Sequence, residues 1–413
     1  MTQDTPEPPL PEIPEIPGIL ARLIAFPTVS RRSNLELLEY VEGLLRPAGI
    51  RCERFASADG AQANLWASTG PEGPGGVVLS GHCDVVPVEG QDWSRDPFAL
   101  SQADGRLYGR GTADMKGFLA VAIRAMLLAA RRELRLPLHL AISYDEEIGC
   151  LGVRGMLEAL ARRPDRPALC IVGEPTGMRI ATGHKGKRAL RACCHGQEGH
   201  SALAPDALNA LHMGAEFIAR LRARQEDLAA SGARDDGYDV PYTTLHVGVM
   251  RGGSALNIVP NLCELDFEIR NIAADDPDAI IAVLSEDAEA IAAPHRNRFP
   301  QARVEIAQVS GYPGLDTPAD APAVAFLQAV LGAQAPTIKV AFGTEGGLFH
   351  ERLGLPVLVC GPGHMAQGHK PDEYVEQSQL DTCAAALDAL TAALEAGEAP
   401  ALQPAGSGGA APE

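Results

Sequence analysis

Histidine and carboxylate side chains gather at the ends of four apolar runs in this sequence. His82 follows "VVLSG", Glu146 and Glu147 come just after "LAISY", Glu174 follows "LCIVG", and a loop after "VLVCG" reaches His369. Imidazole and carboxylate groups without converging thiols are ligands that suit zinc or cobalt. The pattern therefore indicates a site for divalent cations, with enough carboxylates to leave one for proton transfer.

Two cations would give these residues a hydrolytic chemistry. One carboxylate can bridge two ions roughly 3.5–4 Å apart, and such a pair lowers the pKa of a bound water towards about 7. A carboxylate outside the metal ligands can then accept the proton of the water and pass it to a leaving amine. Because adjacent residues leave the chain in different directions, Glu146 and Glu147 can divide these tasks. Asp84, two residues after His82, is placed to orient the imidazole.

Each motif also has an ordinary structural interpretation. A single His after a strand is more often a loop residue, and Glu174 in "GEPT" can cap the turn that follows. The segment 109–117, "GRGTADMKG", can be a Gly-rich turn with Asp114 favoured near a helix start; it lacks the spacing of a phosphate loop. Sites in open α/β sheets gather beyond the carboxyl ends of strands, so the joint occurrence of these motifs favours one common site.

The elements that position these residues follow an α/β pattern. Four short runs, 75–81, 136–143, 167–173 and 355–361, are almost entirely apolar and do not alternate. This texture predicts strands buried on both faces, as in a mixed, largely parallel sheet covered by helices. Residues 115–130 are apolar almost all round and predict a buried helix.

A different texture extends from residue 184 to residue 310. Clearer alternation at 242–250 and 263–270, with helical patterns on either side, gives the order β-α-β-β-α-β and predicts an antiparallel α+β unit of ferredoxin-like type. Buried-strand texture returns at 355–361, so this unit is inserted into the first domain. The predicted segments are a catalytic domain in two parts, 1–183 and 311–396, an inserted domain, 184–310, and a disordered tail, 397–413.

Composition argues against several classes of function. The 413 residues carry 35 Lys and Arg against 53 Asp and Glu, a formal charge of −18, which disfavours nucleic acid as a partner. No apolar run approaches the ~18–20 residues of a membrane span, and the acidic, Pro-rich N-terminus does not resemble a secretory signal. Nine scattered cysteines without a C-x-x-C pair predict reduced thiols. We therefore expect a cytoplasmic protein.

From about residue 19 to residue 394 the sequence resembles the co-catalytic zinc deacylase and metallopeptidase family. The motifs that carry the resemblance are, in chain order, "GHCDVVPV", "DGRLYGRGTADMKG", "SYDEEIGCLG", "VGEPT", "GQEGHSALAPDALNA", "GGSALNIVPN" and "GPGHMAQGHKPDEYV". The first, the third and the end of the last are most similar to those of acetylornithine deacetylases. The resemblance implies a two-domain amidohydrolase with two divalent metal ions, Zn²⁺ or a substituting Co²⁺, acting on a small N-acyl amino acid.

The same resemblance implies which residues hold the metals. His82 and Glu174 would hold one ion, Glu147 and His369 the other, and Asp114 would bridge the two. The peptide bond after Asp114 is expected to be cis, as is common in the family.

Further roles are implied for residues around the metals. Glu146 would be the general base, and Asp84 would support the first histidine. The inserted domain corresponds to the family's lid or dimerisation domain, which implies a homodimer through that domain. There His200 would reach a substrate oxyanion, often in the site of a second subunit. Positions that contact the substrate correspond to Asn257, Arg270 and Thr344.

For the substrate, the resemblance favours N-acetyl-L-ornithine, hydrolysed to ornithine and acetate for arginine synthesis. Another N-acyl amino-acid hydrolase, such as a succinyl-diaminopimelate desuccinylase or a broad aminoacylase, is the alternative within the class. A non-catalytic dimeric binding protein would be expected to have a damaged site, whereas every expected ligand type is present together with Glu146. A purely structural metal protein is disfavoured because structural zinc sites are usually closed and rich in cysteine.

Overall fold

The computed structural model describes residues 12–332 and 336–400, which divide into two compact units. The first unit comprises the described residues up to Gly183, those of Thr317–Ile338, and those from Thr344 onward. The second unit comprises His184–Asp316 and Lys339–Gly343. Most of the predicted tail, from residue 401 onward, lies outside the described residues.

The regular elements are numbered in chain order. The strands are β1 (Arg51–Ala56), β2 (Ala63–Thr69), β3 (Val77–His82), β4 (Ser101–Ala103), β5 (Arg106–Tyr108), β6 (Leu138–Ser143), β7 (Leu169–Pro175), β8 (Ala181–His184), β9 (Gly186–His195), β10 (Gly199–His200), β11 (Thr244–Gly252), β12 (Ile258–Val259), β13 (Leu262–Asn271), β14 (Arg303–Tyr312), β15 (Leu315–Asp316), β16 (Ile338–Val340), β17 (Val357–Gly361) and β18 (Tyr374–Glu376). The α-helices are α1 (Ile16–Ile24), α2 (Leu35–Leu45), α3 (Gly117–Ala129), α4 (Val153–Ala161), α5 (Ala210–Ser231), α6 (Pro277–Ala292), α7 (Pro322–Leu331), α8 (Gly346–Leu353) and α9 (Gln377–Ala396).

A mixed sheet forms the centre of the first unit. Its strands lie in the order β1-β2-β6-β3-β7-β17-β8. The central strands β6, β3, β7 and β17 run parallel, and the flanking pairs are antiparallel. Every residue of β3, β6 and β7 is buried, which explains why their sequences are apolar without alternation. The mixed α/β class predicted from the sequence is confirmed.

Helix α3 lies in the core of the first unit. It packs against α9, α1 and the sheet, and nearly all of its residues are buried. The buried helix predicted for 115–130 therefore exists as α3. An irregular turn, Thr112–Lys116, leads into it, and this turn carries one of the candidate metal ligands.

The second unit is an antiparallel sheet with two helices. Its strands lie in the order β11-β13-β9-β14, and each neighbouring pair is antiparallel. Helices α5 and α6 cover the face on which β13 buries alternate residues. The chain order and sheet order are those of a ferredoxin-like unit. Its end differs from the sequence-based boundary at residue 310, because β14 pairs with β9 as far as Tyr312 and the unit continues to Asp316.

Two further predictions concern thiols and membranes. All nine cysteines are free in the structure, and their reduced state in the cell stays a prediction. Within residues 12–332 and 336–400, no helix combines the length and the apolar character needed to span a bilayer.

We expect a buried histidine, His139, to make the stability of the first unit depend on pH. His139 on β6 stacks on Trp66 with the ring centroids 4.8 Å apart. Its Nδ1 lies 2.8 Å from the hydroxyl oxygen of Ser68. Burial disfavours the charged ring and lowers the pKa of His139 from 6.5 to about 4.

We expect the stabilising effect of neutral His139 to be lost on acidification. Below about pH 6.5 the unfolded chain binds a proton that the folded chain does not bind until about pH 4, so stability falls as the pH falls through this window. The loss is at most about 3.5 kcal/mol, at ~1.4 kcal/mol for each of about 2.5 pKa units. Thermal unfolding of metal-free His139→Phe and wild type measures it: the stability of the variant relative to wild type rises as the pH falls. His212→Phe, at an exposed position of α5, serves as the control, and a pH-independent difference for His139→Phe would contradict the prediction.

Candidate metal and catalytic site

The polar side chains predicted to share a site meet at one edge of the central sheet. This edge is formed by the carboxyl ends of the parallel strands β3, β6, β7 and β17, where functional sites of α/β sheets collect. The turn before α3 contributes one further side chain. The residues brought together are His82, Asp114, Glu146, Glu147, Glu174 and His369.

Asp114 stands between the two histidines. Its Oδ1 lies 3.1 Å from Nε2 of His82, and its Oδ2 lies 3.2 Å from Nε2 of His369. Nε2 of His82 is also 3.6 Å from Oε1 of Glu174, and Nε2 of His369 is 3.1 Å from Oε2 of Glu147. Each oxygen of Asp114 therefore faces a different pair of histidine and glutamate. A carboxylate that bridges two ions requires this arrangement.

The peptide bond after Asp114 is cis, as predicted.

The two adjacent glutamates face different partners. Among the described residues, two overlapping groups have candidate ligand atoms within 4.8 Å of one another: His82 with Asp114 and Glu147, and His82 with Glu146 and Glu174. Glu147 thus lies on the Asp114 side of the site and Glu146 on the Glu174 side. This division is the geometric basis for giving them different roles.

Crowding of carboxyl groups changes their ionisation. Burial, reinforced by repulsion from neighbouring carboxylates, raises the pKa of Glu146 to about 8 and that of Glu147 to about 7. The same causes hold the pKa of Glu174 well above its ordinary value. Burial opposes ionisation of Asp114 as well, but hydrogen bonds to His369 and His82 outweigh it and keep its pKa below the usual 3.8. Hydrogen bonds to Asp114 and Glu147 raise the pKa of His369 to about 10.

This set of donors fits a pair of divalent cations. Two imidazole nitrogens and several carboxylate oxygens match the preferences of zinc and cobalt, and cations would offset the repulsion that raises the glutamate pKa values. Because metal ligands must be deprotonated, metal binding would displace protons from the site. Cys83 does not join the donors: its Sγ donates to the carbonyl of Ser143 at 3.0 Å.

Asp84 supports the site in two ways. Nδ1 of His82 lies 2.9 Å from the backbone oxygen of Asp84 and 3.4 Å from its Oδ1, which favours a proton on Nδ1 and directs Nε2 towards a metal. The carboxylate of Asp84 also accepts the backbone N–H of Glu146 at 3.1 Å and that of Glu147 at 3.3 Å, one on each oxygen. The Ser30 hydroxyl donates to Oδ2 at 2.8 Å. Asp84 therefore orients the histidine and fixes the backbone of both glutamates.

Asp145 anchors the acidic loop formed by residues 145–147. Its Oδ1 accepts the backbone N–H of Arg31 at 2.6 Å and the side-chain amide of Gln62 at 3.0 Å. On the other side of the loop, the Cys150 thiol donates to Oε1 of Glu146 at 3.2 Å. These contacts fix the direction in which the Glu146 carboxyl points.

Three buried charged side chains near the site, Arg110, Glu345 and Glu373, were not predicted from the sequence. Arg110 and Glu373 form an ion pair at 2.7 Å, and both are about 1% exposed. Glu345 accepts a hydrogen bond from Ser80 at 3.3 Å, and burial raises its pKa to about 7. All three stand in motif-like segments, "YGRGTADMKG", "GHKPDEYV" and "FGTEGG". Their residue types alone do not distinguish a supporting charge from a ligand.

Two of the predicted substrate residues lie on the surface of the second unit. His200, on β10, is exposed, and its Nδ1 accepts the backbone N–H of Ala202 at 3.1 Å. Asn257 is also exposed, and its carbonyl accepts the N–H of Ser201 at 3.0 Å. The roles of His200 and Asn257 stay predictions.

The other two are held by their own neighbours. Arg270, on β13, donates to the Tyr312 hydroxyl at 2.8 Å and to Glu268 at 3.0 Å. Thr344, in the first unit, is fully buried, and its hydroxyl accepts the N–H of Gly346 at 2.9 Å. Substrate contact by either side chain stays a prediction, and for Thr344 it would require a change in its surroundings.

Comparisons with known proteins extend over most of the chain. Residues 78–393 match peptidase family M20/M25/M40. An acetylornithine deacetylase from Klebsiella pneumoniae (strain 342) is 34% identical over 366 residues, which is 87% of this chain and 92% of that protein. An acetylornithine deacetylase from Myxococcus xanthus is 35% identical over 376 residues, which is 89% of this chain and 94% of that protein.

Among solved structures, the chain is similar to an M20 family metallo-carboxypeptidase from Sulfolobus solfataricus. The TM-score is 0.75 at 19% identity, and the match covers 93% of this chain and 100% of that one. At this identity the likeness concerns the fold alone.

Proposed function

The chain belongs to peptidase family M20/M25/M40 and is a metal-dependent amidohydrolase, and we propose that it deacetylates N-acetyl-L-ornithine. The products are L-ornithine and acetate, as needed for arginine biosynthesis. The observation that carries the proposed chemistry is the position of Asp114 between two histidines, with Glu146 beside them. The proposed substrate is supported by the two relatives named above. Both are acetylornithine deacetylases, and each matches this chain over most of its own length.

The residues of the chain have separate tasks in this reaction. The ligands described above would hold two divalent ions, which would supply an acidified water and polarise the scissile carbonyl. Glu146, whose carboxyl group lies beside His82 and Glu174 and is not assigned to either ion, accepts the proton of the water and delivers it to the leaving amine. The Cys150 thiol occupies Oε1 of Glu146, which leaves Oε2 for that exchange. Asp84 holds the backbone of Glu146 and Glu147 in place during this proton transfer.

Further parts of the proposal rest on the family resemblance. We propose zinc as the metal, with cobalt as a substitute, and a cytoplasmic homodimer formed through the second unit. His200 would stabilise the oxyanion that develops on the substrate carbonyl. Arg270 suits a carboxylate of the substrate because its guanidinium can bind both oxygens, and Asn257 and Thr344 would complete the substrate contacts.

A substrate panel tests the proposed specificity. Metal-reconstituted protein is assayed with acetyl, formyl and succinyl derivatives of ornithine and of diaminopimelate, and with neutral N-acetyl amino acids. We expect the highest kcat/KM for N-acetyl-L-ornithine, because a pocket that pairs polar groups of its substrate discriminates strongly against analogues that lack them. The same preparation of Glu146→Gln controls for contaminating hydrolases.

Two results would redirect the assignment. A preference for N-succinyl-L,L-diaminopimelate would make the protein a desuccinylase, and similar rates on many N-acetyl amino acids would make it a broad aminoacylase. Activity that survives thorough chelation would contradict the metal-dependent mechanism itself.

A further inference from the structure

A buried ion pair behind Asp114 takes no part in the chemistry above. Nη1 of Arg110 and Oε2 of Glu373 are 2.7 Å apart, and both residues are about 1% exposed. Removing two charges from water is costly unless further hydrogen bonds satisfy their remaining atoms. The partners of the remaining atoms therefore indicate what the pair does.

Glu373 holds the backbone that carries the bridging carboxylate. Its Oε1 accepts the N–H of Ala113 at 2.9 Å and the N–H of Asp114 at 3.1 Å. Its own carbonyl accepts the N–H of Gly109 at 2.9 Å. One side chain thus restrains the main chain on which the Asp114 side chain depends for its direction.

Arg110 holds the loop that carries the second histidine. Its Nη2 donates to Oε1 of Gln91, whose Nε2 donates to the backbone oxygen of His369 at 3.0 Å. Its Nη1 also lies 3.4 Å from the backbone oxygen of Lys370. The guanidinium stacks over Trp93, 5.0 Å from the ring centroid. Arg110 is therefore in contact, directly or through one side chain, with the segment that positions His369.

The backbone of His369 needs such support. Its φ is 61°, in the left-handed region that non-glycine residues seldom adopt and that persists where the surroundings fix it. The contacts from Gln91 and Arg110 reach the backbone of this residue and the next. The unusual conformation and its contacts occur at the residue that carries the metal-binding imidazole.

We propose that Arg110 and Glu373 are positioning residues for the metal pair. Glu373 fixes Asp114, Arg110 fixes His369 through Gln91, and the ion pair couples the two, so that an Asp114 oxygen and the His369 nitrogen are held in place for the same ion. This inference rests on the metal centre proposed above. A purely structural role would instead affect folding and leave metal binding unchanged.

Titration with Co²⁺ separates these two roles. We expect Glu373→Gln to bind Co²⁺ about 10–100-fold more weakly than wild type, as for other residues that orient metal ligands, and to shift the visible absorption bands of the bound ion. The matched control is Glu42→Gln on α2, which removes a buried carboxylate from its contacts with Arg46 and Arg54. It touches none of the site residues and should keep the Co²⁺ affinity and spectrum of wild type even where it lowers the unfolding temperature of the metal-free protein.

A milder variant keeps the test decisive if loss of the buried charge prevents folding. Gln91→Ala removes the link to His369 at a partly buried position and should weaken Co²⁺ binding by about two- to tenfold, the effect of one hydrogen bond. Folded variants that bind Co²⁺ with wild-type affinity and spectrum would overturn the positioning role. Wild type that binds no Co²⁺ would overturn the proposed metal centre as well.

Discussion

Glu146→Gln is expected to lose about 10²–10⁴-fold in kcat/KM, the usual contribution of a general acid–base group, while it still binds metal. Glutamine has the size of glutamate and keeps the backbone N–H that donates to Asp84, but its amide cannot accept a proton. Metal content is measured on the purified protein by elemental analysis, and rates are measured on the same sample. A large rate loss at unchanged metal content would identify Glu146 as the base.

Glu147→Gln provides the contrast. Its carboxylate lies 3.1 Å from Nε2 of His369, on the side of Asp114, so its loss should weaken the binding of one ion and lower activity through that loss. Added metal should then recover part of the activity of Glu147→Gln and none of that of Glu146→Gln. If Glu146→Gln kept a tenth or more of wild-type activity with full metal content, the base would have to be another group.

The contrast between neighbours follows from how one loop is held. Both backbone N–H groups donate to the same Asp84 carboxylate, one to each oxygen, so the two residues share one support. Their side chains diverge from that support, Glu146 towards Glu174 and Cys150 and Glu147 towards His369. Identical residue types therefore meet different partners, and this difference is the basis for proposing Glu147 as the metal ligand and Glu146 as the base.

The sequence predicts the centre of the fold better than its margins. The apolar run at 136–143 contains β6, and the runs at 75–81 and 167–173 include all but the last residue of β3 and the last two residues of β7. These strands were predictable because strands buried on both faces are apolar along nearly their whole length. The three-residue strands β4, β5 and β18 went unpredicted. They are short and mostly half-exposed, and β18 pairs with β5 across a long stretch of chain, Tyr374 with Tyr108 for example.

Those short strands explain the main omission at the site. Pairing of β18 with β5 brings Glu373 beside Gly109, and only then can its carboxylate reach the N–H groups before Asp114. The motifs supplied the ligand types and their order, because metals select side chains by chemistry. They did not reveal supporting contacts, since those depend on backbone atoms that tertiary pairing brings within reach.

Asp114→Asn is the second substitution with a large expected effect. Each Asp114 oxygen faces a different histidine, at 3.1 Å for His82 and 3.2 Å for His369. Asparagine keeps one oxygen, but its NH₂ group has no lone pair to offer a metal, so the ion on one side loses a ligand. We expect metal content to fall by about half. We expect kcat/KM to fall by about 10³-fold or more, because the two ions together stabilise the charge that develops in the transition state by several kcal/mol.

The control for this change is Asp84→Asn, because Asp84 supports the ligands but does not face both histidines. We expect the metal affinity of Asp84→Asn to fall by about 10–100-fold, the range for residues that orient metal ligands, and the variant to retain both ions at high metal concentration. Full metal content and near wild-type rates in Asp114→Asn would contradict a bridge.

If Asp114→Asn retains one ion, double variants identify which ion it is. Loss of that ion on adding Glu174→Gln, but not on adding Glu147→Gln, would show that the remaining oxygen of residue 114 serves the ion on the His82 side. The reverse result would assign that oxygen to His369, because Glu147 contacts that histidine.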